Sequence, residues 1–433
     1  MNQPTNMKRT VEKSQSLFTR AERHIPRASQ TLSKAPDQFV KGVSPYAFKK
    51  GVGCRVWDVD GNEYIDLSSS LGAIVLGYQH YVIEEAVRKQ RESGTIFGLP
   101  SDLEVELAER LAKLLPFVEM VRYGLNGSDV TAAAVRVARA YTGRDHIAKC
   151  GYHGWPDWTI ATNALRSKGV PQAVKDLTHE FVYNDLGSLE KIFSEFPDKI
   201  AAVIMEPIDA VFPKQGFLEG VKELAHKHGA VFIFDELVTG FRLARGGAAE
   251  YFKVTPDLVC YGKAISNGEP LSVLGGKREI MSMLDEVFFS FTYAGYLSSI
   301  AAALATLTFM ETNGVQEKIQ KTGTMLMDGL QSLIVRHMLP LKMTGYPAHP
   351  VISFKGSDGS DNLLLKTFFL QETAKAGIFT NCKHFTNYAH EESDIKIVLD
   401  KIDTIFKTMA EAMANNSIEK LLEGPMVRAR YIR

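Results

Sequence analysis

The stretch AVFIFDELVTGFR, Ala230 to Arg242, decides how this chain is read. An almost unbroken apolar run passes straight into two acids, Asp235 and Glu236. A second run of the same kind, DLVCYGKAIS, stops at a lone lysine, Lys263, and a third, KIAAVIMEPI, stops at Glu206. Continuous rather than alternating apolarity is what a strand covered on both faces requires, as in a parallel sheet flanked by helices. Between the third run and the first lies GFLEGVKELAHKHG, an amphipathic helical pattern that ends at Gly229. In open α/β sheets, ligands bind beyond the carboxyl ends of the strands. Glu206, Asp235 and Lys263 therefore mark one rim of one sheet.

Working outward, RVWDVDGNEYIDL (Arg55–Leu67) reads as a hairpin around Asp60-Gly61-Asn62. SDLEVELAERLAKLL (Ser101–Leu115) opens with a capping box, Ser101 with Glu104, and continues with helical periodicity. Residues 1–40 form a polar arm with helical stretches. From about residue 325 the pattern shifts to helices and shorter strands. The expected organisation is an N-terminal arm and hairpin (1–75) packing with the small domain, a large, mostly parallel α/β domain (76–325) and a smaller α+β domain (326–433). The basic C-terminal stretch GPMVRARYIR fits either a packed segment or a plain tail.

Composition narrows the function. The 433 residues carry 50 basic and 50 acidic side chains, with 45% hydrophobic and 23% charged residues. A balanced charge argues against nucleic-acid and membrane-surface partners, which show as a basic excess. No apolar run reaches the roughly 18 residues of a membrane span. The N-terminus, MNQPTNMKRTVEKSQSLF, lacks the apolar core of a signal peptide. The four cysteines, Cys54, Cys150, Cys260 and Cys382, have neither metal-ligand nor redox spacing. A cytoplasmic protein with reduced thiols and no metal is expected.

A desolvated lysine amine is nucleophilic and forms a Schiff base with a carbonyl. An acid aimed at a pyridine nitrogen keeps that nitrogen protonated. A lysine and an acid on one rim are thus the parts of a pyridoxal 5'-phosphate site. Such a site also needs a phosphate cradle of small residues opening a helix. Asn126-Gly127-Ser128-Asp129, before a strongly helical stretch, meets that need. Tyr152, in GYHGW, offers a ring to stack on a planar cofactor.

The order of these pieces resembles the class III aminotransferases of the fold-type I pyridoxal-phosphate family, and within it the glutamate-1-semialdehyde 2,1-aminomutases most. The resemblance runs from about Leu17 to about residue 410. It is carried by DVDGNEYIDL, LEVELAERL, MVRYGLNGSD, ARAYTGRDHIAK, YHGW, FDELVTGFR, VTPDLVCYGKAISNGEPLSVLGGKREIM and AHEESDI. It implies the aspartate-aminotransferase-like fold. It makes Lys263 the Schiff-base lysine and proton carrier, and Asp235 the partner of the pyridinium nitrogen. Val238 and Tyr152 would cover the two ring faces. Gly127 and Ser128 would hold the phosphate. Thr292 would reach the phosphate of the neighbouring subunit, which implies a homodimer with shared active sites. His153 and Glu206 would line the pocket.

Departures from the pattern bear on the substrate. In GVSPYAFKKG (Gly42–Gly51), Tyr46 stands in a stretch where the aminomutases carry a carboxylate-binding arginine. Lys49 or Lys50 could compensate, but a point charge on a flexible stem does so less well than an arginine fork. Their gating Gln-Phe-Glu is here His384-Phe385-Thr386, followed by Asn387. In EPIDAVFPKQG, Asp209 and Phe212 fall near the expected cofactor edge. These changes favour a two-step aminotransferase with an amino-acid donor, L-glutamate, and pyridoxamine 5'-phosphate as the intermediate cofactor form. The carbonyl acceptor would be neutral and hydroxyl-rich, such as a keto- or aldehyde-sugar met by Tyr46, Thr386 and Asn387, with Tyr293 and Tyr296 as further hydroxyls. The alternatives are the aminomutase itself and a non-catalytic relative that kept the fold.

Overall fold

Seven strands form the sheet that the apolar runs lead into. In the computed structural model, which describes residues 9–429 except Ala164, Asp209, Ser357 and Asp358, they are β1 (Met120–Gly124), β2 (His146–Cys150), β3 (Thr178–Glu180), β4 (Ile200–Met205), β5 (Val231–Asp235), β6 (Leu258–Tyr261) and β7 (Ser272–Gly276). Asp209 thus lies outside the described residues. The order across the sheet is β1-β7-β6-β5-β4-β2-β3. From β6 to β3 all neighbours are parallel, whereas β7 runs antiparallel to both β6 and β1.

Every residue of β4, β5 and β6 is buried, which is why their sequences are continuously apolar. Helix α1 (Gly127–Thr142) lays Val130, Ala133, Ala134, Val137 and Ala138 against Ile147, Ile204, Ile233 and Leu274. Each of those large aliphatic side chains contributes roughly 1.5–3 kcal/mol by burial. Helix α2 (Phe217–Lys227) stops two residues before Gly229, which takes the left-handed exit at φ 67°. Register then sets the rim. Met205 pairs with Phe234, and Asp235 with Cys260. The carboxyl ends of β4, β5 and β6 are level, so Glu206, Asp235 and Lys263 leave the sheet at one edge.

Contacts divide the chain into two compact units. Of the described residues, Gly72–Leu76 and His80–Lys318 make up the unit just described, and 9–71, Gly77–Gln79 and 319–429 make up the other. In this second unit, Phe48–Val52, Arg55–Asp58 and Glu63–Asp66 form an antiparallel meander, and Ile378–Phe379 adds in parallel. The turn falls on Asp60–Asn62: the Asp58 carboxylate accepts from the Asp60 and Asn62 N–H groups at 3.0 and 2.8 Å, and Gly61 takes φ 95°. Helices Leu363–Lys375 and Glu392–Ala414 bring Phe368, Phe369, Ile402 and Phe406 into one core with Ile65 and Leu67. The C-terminal stretch packs here too. Val427 is buried and donates its N–H to Thr367 Oγ1 at 3.1 Å, while the Arg428 N–H donates to the Asp37 carbonyl at 2.8 Å.

One segment of this unit is strained. Ser69, Ser70 and Leu71 hold φ of 44°, 50° and 60°, a left-handed turn without glycine at those positions. Such a turn costs about 1–2 kcal/mol per residue. It is pinned from outside. Asp66 Oδ1 accepts from the Ser68 and Ser69 N–H groups at 2.7 and 3.2 Å. Ser69 Oγ donates to the Phe385 carbonyl at 2.7 Å and accepts from Asn387 Nδ2 at 3.0 Å.

Candidate active site

Asp235, the last residue of β5, is 3% exposed. Its Oδ2 lies 2.8 Å from Nδ1 of His153, and its Oδ1 accepts the Leu237 N–H at 3.1 Å. An ionised carboxylate only accepts, so Nδ1 carries a proton and donates it. His153 is fully buried. Its ring stacks on Trp158 with centroids 5.8 Å apart, and its carbonyl accepts from Thr131 Oγ1 at 2.8 Å. Its Nε2 is buried without a partner among the described residues. Expected as a pocket-lining residue, His153 is instead the brace behind Asp235, because its loop turns the ring inward against Trp158.

Lys263 follows β6 at φ 47°. Burial holds its amine below the ordinary lysine pKa; Asp235 and Glu206 oppose that shift and Arg242 adds to it. A lysine amine so placed is more often neutral and nucleophilic. Glu206 accepts the Tyr152 N–H on Oε1 at 3.2 Å. Tyr152 remains 41% exposed, and burial, Asp235 and Glu206 together raise its phenol pKa.

The cradle is built by close approach. Asp129 accepts from the Leu125 and Asn126 N–H groups at 3.0 and 2.7 Å, and Ser272 Oγ donates to the Asn126 carbonyl at 2.7 Å. These bonds fix the start of α1, whose first-turn N–H groups at Gly127 and Ser128 have no intrahelical acceptor and suit an anion. A Cβ at Gly127 would run into Leu237 Cδ1, and one at Gly262 would lie 2.6 Å from Leu237 Cδ2. Leu237 is thus wedged between the cradle and the loop that carries Lys263. A Cβ at Gly154, which holds φ 104°, would run into Ser128 Oγ, and that hydroxyl accepts the Trp155 N–H at 3.2 Å. Leu237, Thr131 and Trp158 went unnoticed in the sequence, where each reads as ordinary core or helix surface.

Asp235, His153, Glu206, Tyr152, Gly127, Ser128 and Lys263 all lie in one unit. Val238, in the same unit, is partly exposed, and Thr292 is exposed on the turn before helix Leu297–Thr312. Phe212 packs against Tyr251 and Phe252. The other three candidates belong to the second unit. The Tyr46 hydroxyl donates to the Ala28 carbonyl at 2.9 Å. Thr386 is fully buried and donates to the Ile319 carbonyl at 3.2 Å. Asn387, also fully buried, donates to Ser69. Thr386 and Asn387 therefore act as internal ties rather than exposed acceptor contacts.

The residues fit pyridoxal phosphate. They supply an amine with a depressed pKa, a buried carboxylate braced from behind, an aromatic ring at the rim and helix-start amides without intrahelical acceptors. The class-III aminotransferase family model matches residues 39–405. The glutamate-1-semialdehyde 2,1-aminomutase of Syntrophobacter fumaroxidans is 35% identical, across 94% of this chain and 100% of that protein. The 3-aminobutyryl-CoA aminotransferase of Cloacimonas acidaminovorans is also 35% identical, across 90% and 96%. Among solved structures, the FumI protein of Sphingopyxis sp. MTA144, determined with PLP, is 28% identical with a TM-score of 0.87, covering 93% of this chain and 97% of that one. The chain belongs to the pyridoxal-phosphate-dependent class III aminotransferases, with the fold of that family.

Proposed function

We propose that the protein transfers an amino group from L-glutamate to a separate carbonyl acceptor in two half-reactions. When bound, pyridoxal phosphate supplies an aldehyde that takes up the amino group and a ring that withdraws electrons from the substrate carbon. Asp235 holds a proton at the ring nitrogen, and His153 fixes that carboxylate. Lys263 Nζ, its pKa lowered by burial, removes and returns the proton of the substrate carbon. The first-turn amides of Gly127 and Ser128 hold the phosphate, and Tyr152 and Val238 bound the ring.

The observation that carries this reading is the segment Ser44–Phe48. It has no guanidinium to keep a carboxylate-bearing intermediate in place, and its tyrosine hydroxyl is tied to Ala28. The acceptor is then a neutral carbonyl compound, keto- and aldehyde-sugars among them. The loaded protein is mixed with L-glutamate alone, and the cofactor absorbance and 2-oxoglutarate are followed. Stoichiometric 2-oxoglutarate with conversion to pyridoxamine 5'-phosphate is expected. Absence of both, with turnover of glutamate-1-semialdehyde, would establish the mutase instead, a reading favoured by the names of several full-length relatives at about 35% identity.

The active form in this proposal is a cytoplasmic homodimer in which Thr292 serves the neighbouring site. Phe288 and Tyr293, 78% and 56% exposed beside it, are surfaces a lone chain leaves in water. The four buried free thiols fit a reducing compartment. Mixing Lys263→Ala with Thr292→Ala chains tests sharing: hybrid dimers regain one intact site if Thr292 acts across the interface.

A further inference from the structure

Lys149 is a buried lysine that the transfer reaction leaves without a task. It lies on β2, two residues after Ile147, and so on the face of the sheet that packs against α1. It is 3% exposed. A buried ammonium is costly unless it is paired and hydrogen-bonded. Burial lowers its pKa, and Glu180, its cross-strand neighbour on β3, opposes the shift from 3.7 Å. Glu180 is half exposed, so water screens that ion pair and it returns little. The closer contact is to the backbone: Nζ donates to the Gly151 carbonyl at 3.3 Å.

That carbonyl and the Tyr152 N–H belong to one peptide group. The N–H donates to Glu206 Oε1 at 3.2 Å. The peptide is thus held from both sides, by an amine at its oxygen and by a carboxylate at its nitrogen. Two bonds at opposite ends of a planar group fix its rotation. Gly151 permits this arrangement: it holds φ 98°, and a Cβ there would lie 3.1 Å from Glu206 Oε1. Strand register supplies both anchors. Cys150 pairs with Met205, so the strands that carry Lys149 and lead to Glu206 end level beside Gly151. On the other side of Tyr152, His153 is tied through its carbonyl to Thr131 and through its ring to Asp235. Tyr152 therefore reaches the rim from a backbone fixed before and after it.

We propose that Lys149 is a positioning residue: by holding the Gly151 carbonyl while Glu206 holds the Tyr152 N–H, it sets the height and tilt of the Tyr152 ring against the cofactor. This rests on the reading above that Tyr152 bounds the cofactor ring, and adds to it a residue that acts through the backbone.

The test is a double-substitution cycle on the full-length protein, read by fluorescence titration with pyridoxal phosphate and by visible circular dichroism of the loaded form. Tyr152→Ala should weaken cofactor binding about tenfold. Lys149→Met should weaken it about three- to tenfold and reduce the visible dichroism. The double variant should bind no more weakly than Tyr152→Ala alone, because Lys149 acts through that ring. Methionine matches the lysine stem and suits an apolar face, and Lys149→Leu serves the same cycle should methionine disturb the melt. Glu180→Gln, which leaves the bond to Gly151 in place, should bind as the parent does. Additive losses in the cycle, a Lys149→Met protein with parental affinity and dichroism, or a loss in Glu180→Gln equal to that in Lys149→Met would overturn the proposal and leave the placing of the ring intact. Unchanged binding in Tyr152→Ala would overturn the placing of the ring, and this proposal with it.

Discussion

Replacing His153 with phenylalanine isolates what the brace does for Asp235. Among the described residues the carboxylate has two hydrogen-bond contacts, His153 Nδ1 at 2.8 Å and the Leu237 N–H at 3.1 Å, and it is too buried for water to substitute for either. A hydrogen bond to a charged group contributes about 1.5–3 kcal/mol, and about 1.4 kcal/mol is a factor of ten. The substitution should therefore slow the glutamate half-reaction about 10- to 100-fold at saturating donor. Phenylalanine keeps the stack on Trp158 but leaves the buried carboxylate one donor short, so the thermal midpoint should also fall, and a cooperative melt shows that the variant is folded. His153→Asn can place an amide N–H near the position of Nδ1 and should recover most of the rate. The assay is stopped-flow absorbance of the loaded protein across pH 6–9, with cofactor affinity measured in parallel. If His153→Phe reacts as fast as the parent, or if His153→Asn is as slow as His153→Phe, Asp235 does not depend on this bond.

Lys263→Ala should still take up cofactor but no longer be fixed to it by borohydride, and loss of its proton transfer alone should cost about 10²–10⁴-fold in the half-reaction. Gly127→Ala should force the cradle and Leu237 apart, shift the helix-start amides and weaken cofactor binding, and the double variant with Leu237→Ala should recover it, as read by fluorescence titration with pyridoxal phosphate. Two buried groups give opposite pH slopes. Burial raises Glu236 from 4.5 to about 7, so its contribution is fully present below pH 4.5 and is lost as pH rises through about 7. Burial lowers His390 from 6.5 to about 4, so its contribution is present above pH 6.5 and is lost as pH falls through about 4. Each amounts to at most roughly 3 kcal/mol. Urea unfolding between pH 4.5 and 7 should show Glu236→Gln gaining stability as pH rises, relative to the parent, and His390→Gln losing it.

What could be read from the sequence was what depends on short range or on one repeating register. Parallel pairing aligns strand ends, so three apolar runs ending in polar residues predicted a rim that β4, β5 and β6 form. The cradle needs only a glycine, a hydroxyl and a helix start in succession. The hairpin at Gly61 needs only its turn residues. Contacts made across the chain left no such mark. Ser69 and Asn387 are 318 positions apart, so a tie between them is invisible in either neighbourhood. Leu237 follows two acids and reads as core; that it fills the space left by two glycines depends on three loops meeting. The division between the units falls at Lys318, inside the helix Val315–Arg336, where an unbroken helical pattern gives no boundary signal.

The adjacent acids that open this reading are resolved by the alternation of side chains at a strand end. Asp235 points toward His153, which holds one of its oxygens, and its charge acts on the Lys263 amine. Glu236 points the other way. It accepts from Thr239 Oγ1 at 2.7 Å and from the Ala248 and Ala249 N–H groups at 2.6 and 2.8 Å. A Cβ on Gly247, which holds φ 74°, would run into its carboxylate. Glu236 thus ties the loop after β5 to the helix Gly247–Phe252 and keeps Leu237 and Val238 at fixed height above the sheet. In the proposed reading the first carboxylate serves the bound ring, and the next holds the loop that follows it. Exchanging their order would put the braced acid on the wrong face, which is why Asp-Glu rather than either acid alone marks this strand end.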